Sequence, residues 1–303
     1  MAATSEAIAL KLETARGFMV IVDELPTVPS LVMRIAGKLD DPDVSIDEIT
    51  DLLLQDQVLT TRVLRLISSP YFSPLQHLRN MREAIVYLGL DCIKEAVFTC
   101  SVIDLFWSTG EGLHRSAIWS HALSVAQVSK ILAEHVEYPN AFSAYVAGLL
   151  HDIGAVFLNC YRGKEFKAAV SLAQTEGLNL YESENRLLGI SHCEVGAVLA
   201  SGWQLDKAVM DSILFHHDLE SASAENAPLV AIISLADTFC SLYGYGYEEC
   251  GMSRLDRAGL EEHCAWTYVQ GALQQQIVPH DVLHRVKHSF KRIKIGIDEM
   301  FPK

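Results

Sequence analysis

The sequence has little positive charge and none of the long apolar runs that mark a membrane-spanning chain. Its 303 residues include 24 Lys or Arg against 38 Asp or Glu, a net charge of −14 with the histidines neutral. This acidic balance argues against a nucleic-acid-binding surface over the whole chain. The one locally basic segment, 287–294, is more simply interpreted as a solvated helix face. Because no stretch of eighteen apolar residues and no secretion signal occurs, we expect neither export nor a membrane span.

The cysteines lack the pairing that a disulfide framework or a zinc ribbon would need. Seven cysteines occur, an odd number, and none forms a Cys-x-x-Cys pair. They are Cys92, Cys100, Cys160, Cys193, Cys240, Cys250 and Cys264. Most lie in apolar stretches with helical spacing, so we interpret them as reduced core residues of a cytoplasmic protein.

Strand-like alternation of Val, Ile and Thr is also nearly absent, and this absence predicts an all-α chain. The predicted helices cover 5–22, 30–39, a helix opened by the capping box of Ser45 and Glu48, 52–67, 82–88, 91–107, 116–136, 141–161, 165–174, 180–188, 193–202, 207–215, 228–243, 255–263 and 281–297. Glycines at 110 and 112 predict a boundary between an N-terminal lobe of short helices, 1–110, and a second helical lobe, 113–303.

An apolar run ends in the adjacent pair His151 and Asp152. Ala144, Ala147 and Gly148 share one helix face with His151, which should let a neighbouring helix approach closely. A buried carboxylate costs several kcal/mol unless it is paired or bound to a cation, and the imidazole beside it is a metal ligand. The alternative is a core histidine bonded to a local aspartate.

Other His and Asp residues stand at inward-facing or helix-terminal positions. His121 lies on an apolar stripe, where a lone histidine is usually a satisfied core residue. His192 begins a helix and by itself would be a capping or surface residue. His216 and His217 end a helix, where they would favour its dipole. Asp237 is the single carboxylate of an apolar helix with no Lys or Arg nearby in sequence, so it needs a cationic partner.

Taken together, these residues predict a metal site inside a helical bundle. Five helical segments each supply one or two inward His or Asp side chains, as such a site requires. Imidazole and carboxylate form a borderline ligand set that suits Fe, Mn, Zn or Ni, and Asp152 could bridge two ions. A structural His–Asp network without metal remains the competing interpretation.

The succession of these residues resembles the HD superfamily of metal-dependent phosphohydrolases. The closer resemblance is to the HDOD (HD-related output domain) family, bacterial proteins placed at the output end of signalling pathways. It covers roughly residues 25–243 and extends beyond the His and Asp positions. The matching stretches are LPTVP at 25–29, DPDVS at 41–45, QDQVLTTRVLRL at 55–66, REAIVYLG at 82–89 and 184–196, which carries Gly189, His192 and Glu194-Val195-Gly196.

The resemblance implies an HD-like helical bundle with up to two divalent ions. By similarity, one ion would be held by His121, His151, Asp152 and Asp237, and the second by Asp152, His192, His216 and His217. His151 and Asp152 would be the catalytic pair if the protein is an enzyme. Many HDOD members have lost part of this set and act without catalysis. For this chain we expect a signalling protein partner or a small nucleotide ligand.

Three departures from the related HD-GYP phosphodiesterases and the HDOD pattern count against hydrolysis. Ala155 stands where those phosphodiesterases have a phosphate-binding Lys after His-Asp-Ile-Gly. Their Gly-Tyr-Pro segment is missing between His217 and Asp237, and Ser68-Ser69 replaces the common HDOD Asn-Ser. The sequence therefore favours a metal-binding signalling module over an active phosphohydrolase acting on a nucleotide or cyclic dinucleotide. It leaves the oligomeric state open.

Overall fold

The computed structural model describes residues 5–20, 35, 38, 43–69, 71–72, 80–107, 115–203, 205–244, 257–273 and 277–300. Within these ranges every regular element is helical and no strand occurs, which confirms the all-α prediction. The helices are α1 (Ser5–Met19), α2 (Ile46–Leu54), α3 (Gln57–Ile67), α4 (Met81–Leu88), α5 (Leu90–Trp107), α6 (Arg115–His135), α7 (Ala141–Leu150), α8 (Ile153–Tyr161), α9 (Gly163–Glu176), α10 (Leu180–Leu188), α11 (His192–Gly202), α12 (Lys207–Phe215), α13 (Ala227–Leu242), α14 (Arg257–Glu261), α15 (Ala265–Leu273) and α16 (Pro279–Met300).

The chain forms two compact units whose segments are not contiguous in sequence. The larger unit comprises Met1–Leu25 and Thr109–His288, and the smaller unit comprises Pro26–Ser108 and Ser289–Lys303. The sequence predicts a single division near residue 110. The difference arises because α1 packs on α11 inside the larger unit, a contact between distant segments that composition does not reveal.

The smaller unit packs α2 to α5 around an aliphatic core. Its helix starts follow from local side chains: the Ser45 hydroxyl accepts from the Glu48 amide, and the Asp56 carboxylate accepts from the amides of Val58 and Leu59. These N-cap bonds satisfy amides that have no partner within the helix. The Asp56 cap begins α3 inside the predicted run 52–67, whose first residues belong to α2.

The larger unit contains the apolar run that the sequence singled out, but the predicted single helix 141–161 is wrong. It is two helices, α7 and α8, separated by a turn at His151 and Asp152. Asp152 has φ −104° and ψ 19°, outside the helical range, so the helix is interrupted at this residue. The turn points the two side chains into the core, where His151 is 0% and Asp152 6% exposed.

Close approach of α6 to α7 confirms the expected role of the small residues. A Cβ added to Gly148 would lie 2.7 Å from Ser129 Oγ and 2.9 Å from the Ala126 Cα. The segment Ala141–Tyr161 is also long and apolar enough to cross a membrane by composition, with a mean hydropathy of 1.5. However, 83% of its most apolar stretch is buried inside the protein, as in the core of a globular domain.

The other helix predictions agree with the structure to within a few residues, with one omission. Helix α15 was not predicted, and the predicted helix 255–263 is described only as Arg257–Glu261. Several predicted features lie outside the described residues. They are the matching stretch 25–29, most of the helix 30–39, the first two residues of the matching stretch 41–45, the glycine boundary at 110–112 and Cys250.

Candidate metal centre

The larger unit brings the seven singled-out side chains together from separate helices. One residue lies within α6, two in the turn before α8, one at the first position of α11, two at the end of α12, and one within α13. They are His121, His151, Asp152, His192, His216, His217 and Asp237. The convergence of distant segments expected from the sequence is therefore present.

One group of these side chains, the first half-site, surrounds Asp152 Oδ2. This oxygen lies 3.3 Å from His151 Nε2 and 3.6 Å from His121 Nε2. The two imidazole nitrogens are 3.2 Å apart, and His121 Nε2 is also 3.2 Å from Asp237 Oδ1. Two nitrogens and two oxygens from four residues thus point at a common centre.

The second half-site lies on the other oxygen of the same carboxylate. Asp152 Oδ1 is 3.2 Å from His192 Nε2 and 3.6 Å from His216 Nε2. The ring of His217 lies 4.1 Å from that of His216 and 5.3 Å from that of His192, between centroids. His217 is exposed and the Asp237 side chain is 18% exposed, so these two are the most solvent-accessible of the seven.

Hydrogen bonds on the far side of three imidazoles turn Nε2 towards the centre. His151 Nδ1 lies 2.8 Å from the Gly148 carbonyl oxygen, and His216 Nδ1 lies 3.0 Å from that of Ile213. His192 Nδ1 instead lies 2.6 Å from a carboxylate oxygen of Glu184. A partner behind the ring fixes the tautomer and orientation that a metal-binding histidine needs.

The local sequence fixes where α11 places His192. Ser191 and Glu194 form a reciprocal capping box, with the Glu194 carboxylate accepting from the Ser191 amide at 2.7 Å. The start of α8 comes so near that a Cβ on Gly154 would lie 1.9 Å from the His192 carbonyl oxygen. The glycine after His-Asp-Ile therefore permits the contact that sets Asp152 beside His192.

Comparison with known proteins matches this chain to a family over 25–219, a range that contains six of the seven residues and extends into both predicted lobes. The matching family model is that of the HDOD domain. The chain belongs to the HDOD family. Its resemblance to that family, stated from sequence, is confirmed.

Three known proteins illustrate the similarity. A crystallised HDOD domain protein of unknown function from Geobacter sulfurreducens is 44% identical, with a TM-score of 0.89 over 98% of this chain and 100% of that one. A Marinobacter aquaeolei VT8 structure, provisionally named a signal transduction protein, shares the fold at 20% identity and a TM-score of 0.70, over 91% of this chain and 59% of that one. An uncharacterised Treponema pallidum protein is 27% identical over 71% of this chain, which spans only 42% of that relative.

The electrostatics of the site favour an ionised Asp152 beside a protonated His216. Burial opposes ionisation of Asp152, but the adjacent His151 and His192 hold its pKa well below the usual value. Burial likewise opposes protonation of His216, yet Cys193 and Asp152 raise its pKa to about 10. Without a metal, protonated His216 therefore supplies positive charge that the buried carboxylate requires.

The buried imidazole nitrogens of the site indicate that its residues fit a metal ion. The Nε2 atoms of His192 and His216 are buried, and neither has a hydrogen-bond partner with acceptable geometry among the described residues. Buried polar atoms are normally satisfied, so two such nitrogens aimed at one carboxylate indicate a missing cation. Ligand atoms of His121, His151 and Asp237 lie within 4.8 Å of one another, as do those of His151, Asp152 and His216.

Sequence reasoning missed two residues of this site. Glu184 is 0% exposed and bonds to His192, although the sequence supplied it only as the first residue of a matching stretch. Cys193, interpreted as a core residue, lies 3.9 Å from His216 Nδ1 and within 4.8 Å of ligand atoms of His192 and His217. The sequence signal that could have indicated Glu184 is its position eight residues before the candidate ligand His192.

Proposed function

We propose that this chain is a bacterial HDOD-type signal-transduction output module whose larger unit binds one or two divalent metal ions without efficient catalysis. His121, His151, Asp152 and Asp237 would hold one ion, and Asp152, His192, His216 and His217 the other. The observation that carries the proposal is the two-sided environment of Asp152, whose oxygens face two separate histidine groups. A carboxylate in that position can bridge two cations.

Catalysis is disfavoured because the cations nearest the site in sequence are engaged or directed elsewhere. Ala155, in the position of the phosphate-binding Lys of the HD-GYP relatives, is 0% exposed and carries no charge. The Arg162 guanidinium donates to the Phe18 carbonyl oxygen at 2.8 Å, and Lys164 is exposed at the start of α9. Phosphoryl transfer depends on cationic groups that neutralise the developing charge.

In this proposal the metal organises the bundle. Bound ions would supply Lewis acidity and would lower the pKa of bound water. The protein's own contribution is to orient the imidazoles through their Nδ1 hydrogen bonds and to bury the carboxylate that joins both half-sites. The output would be a contact with a signalling protein or the sensing of a small nucleotide ligand in the cytoplasm.

An active metal-dependent phosphohydrolase is the second candidate, favoured by the solvent access of the site. His217 is exposed and Asp237 partly so, which leaves a side from which a phosphate ester could reach bound ions. In such an enzyme His151 and Asp152 would be the catalytic pair.

Elemental analysis followed by turnover assays separates these functions. Purified protein would be analysed for Fe, Mn, Zn and Ni, reloaded with Mn, and assayed on cyclic dinucleotides and nucleotides. Bound metal without turnover supports the signalling module, and turnover that Asp152→Ala abolishes supports the hydrolase. Protein that takes up no metal at any loading contradicts both and leaves a structural His–Asp network.

A further inference from the structure

We infer that Glu184 is a positioning residue of the second half-site, which sets the tautomer of His192 and strengthens the binding of the ion held there. This inference rests on the proposed metal binding and adds a residue outside the proposed ligand set. Glu184 lies on α10, eight residues before His192, and its side chain is completely buried.

The hydrogen bonds define the direction of each proton. Glu184 Oε2 lies 2.8 Å from the backbone amide nitrogen of His192, which can only donate, so Oε2 accepts. The same oxygen lies 2.6 Å from His192 Nδ1, and an accepting oxygen there requires Nδ1 to carry a proton. In the neutral imidazole, Nε2 then presents its lone pair to Asp152 Oδ1 at 3.2 Å. Two facing lone pairs repel each other until a proton or a metal ion lies between them.

His192 differs from His151 and His216 in the group that lies behind its ring. Backbone carbonyl oxygens lie behind His151 and His216, whereas a carboxylate lies behind His192. A carboxylate makes the imidazole a stronger donor to a metal than a carbonyl does, because it brings negative charge. Glu184 therefore increases the affinity of the second half-site without touching the ion.

Glu184→Gln tests this role with little steric change. The Gln side-chain oxygen can still accept from the His192 amide, and its nitrogen can take the place of Oε1, which has no hydrogen-bond partner among the described residues. Glu182→Gln is the matched control, since Glu182 lies on the same helix and caps Asn179 instead. We expect Glu184→Gln to weaken the binding of the ion in the second half-site by roughly 10- to 100-fold and to leave the affinity of the first half-site unchanged. Glu182→Gln should leave both affinities unchanged.

The measurements are calorimetric titration of metal-stripped protein with Mn and long-range ¹H–¹⁵N NMR of the histidines. The NMR spectrum of the metal-free wild type should show a protonated Nδ1 on His192 with a strongly downfield proton, which moves upfield in Glu184→Gln. Wild-type metal affinity in Glu184→Gln, or a bare Nδ1 in the wild type, overturns the role of Glu184 alone. A wild type that binds no metal contradicts the proposed function as well, so the two failures are distinguishable.

Discussion

Replacing Gly154 with Ala should separate α8 from α11 and so disturb the site without altering any candidate ligand. A Cβ at this position would lie 1.9 Å from the His192 carbonyl oxygen, 2.6 Å from the Gly196 amide nitrogen and 2.8 Å from the His192 carbonyl carbon. All three are backbone atoms of α11, so no side chain can rotate away. The two helices must move apart, and Asp152, two residues before Gly154, moves with α8.

The expected cost follows from the rigidity of those neighbours. Overpacking a well-packed core costs about 1–3 kcal/mol, and backbone contacts put this site at the upper end. For a folding unit of this size each kcal/mol lowers Tm by about 2–4 °C, so we expect Gly154→Ala to melt about 6–12 °C below the wild type. Metal content should fall too. In the wild type His192 Nε2 and Asp152 Oδ1 are 3.2 Å apart, and moving α8 away from α11 would increase this distance.

Thermal unfolding by circular dichroism, together with metal analysis of the folded protein, measures both effects. Gly163→Ala is the matched control, since Gly163 begins α9 and its added Cβ would meet nothing within 4 Å. That variant should melt at or slightly above the wild-type temperature, because Ala reduces the entropy of the unfolded chain. If the two variants melt at the same temperature and hold the same metal, close helix contact does not position the site.

Two further predictions concern Asp152 and the pH dependence of the site. Asp152→Ala should lose metal more completely than His192→Ala, because Asp152 faces both half-sites, and equal metal content in the two purified variants would argue against a bridging role. In metal-free protein, burial opposes protonation of His216, but Cys193 and Asp152 raise its pKa to about 10 from 6.5. Because the pKa of His216 is raised in the folded state, its protonation stabilises the metal-free fold fully below pH 6.5. This contribution is lost as pH rises through about 10. The metal must displace the proton of His216, so the increase in Tm on metal loading should grow from pH 6.5 to about 10. An increase in Tm that does not depend on pH would contradict this prediction.

The sequence predicted those features that depend on local pattern. Helical spacing and breaker residues placed α10 and α12 at their observed bounds, and the isolated carboxylate of Asp237 in an apolar helix indicated a cationic environment. The resemblance supplied the order of His and Asp residues. These signals lie within single helices, so periodicity and burial cost suffice to detect them.

The features that the sequence did not predict depend on contacts between distant segments. Helix α1 belongs to the larger unit because Lys11 bonds to Asn185 at 2.6 Å and pairs with Glu194 at 3.2 Å. Nothing in the local pattern of α1 indicates those partners. The bond from Glu184 to His192 is missed for a similar reason: it joins two helices across a turn, and only coordinates give its direction.

The wrongly predicted single helix 141–161 is the most informative difference for function. An uninterrupted helix would point the adjacent side chains of His151 and Asp152 about 100° apart around its axis, whereas here both are buried in the core. The turn places Asp152 at the N-terminus of α8, where a carboxylate is favoured by the helix dipole. The apolar pattern hides the turn because both helices are buried on all sides. The break in the helix therefore falls at the residue whose two carboxylate oxygens face separate histidine groups, and it has to be known before the site can be built from the sequence.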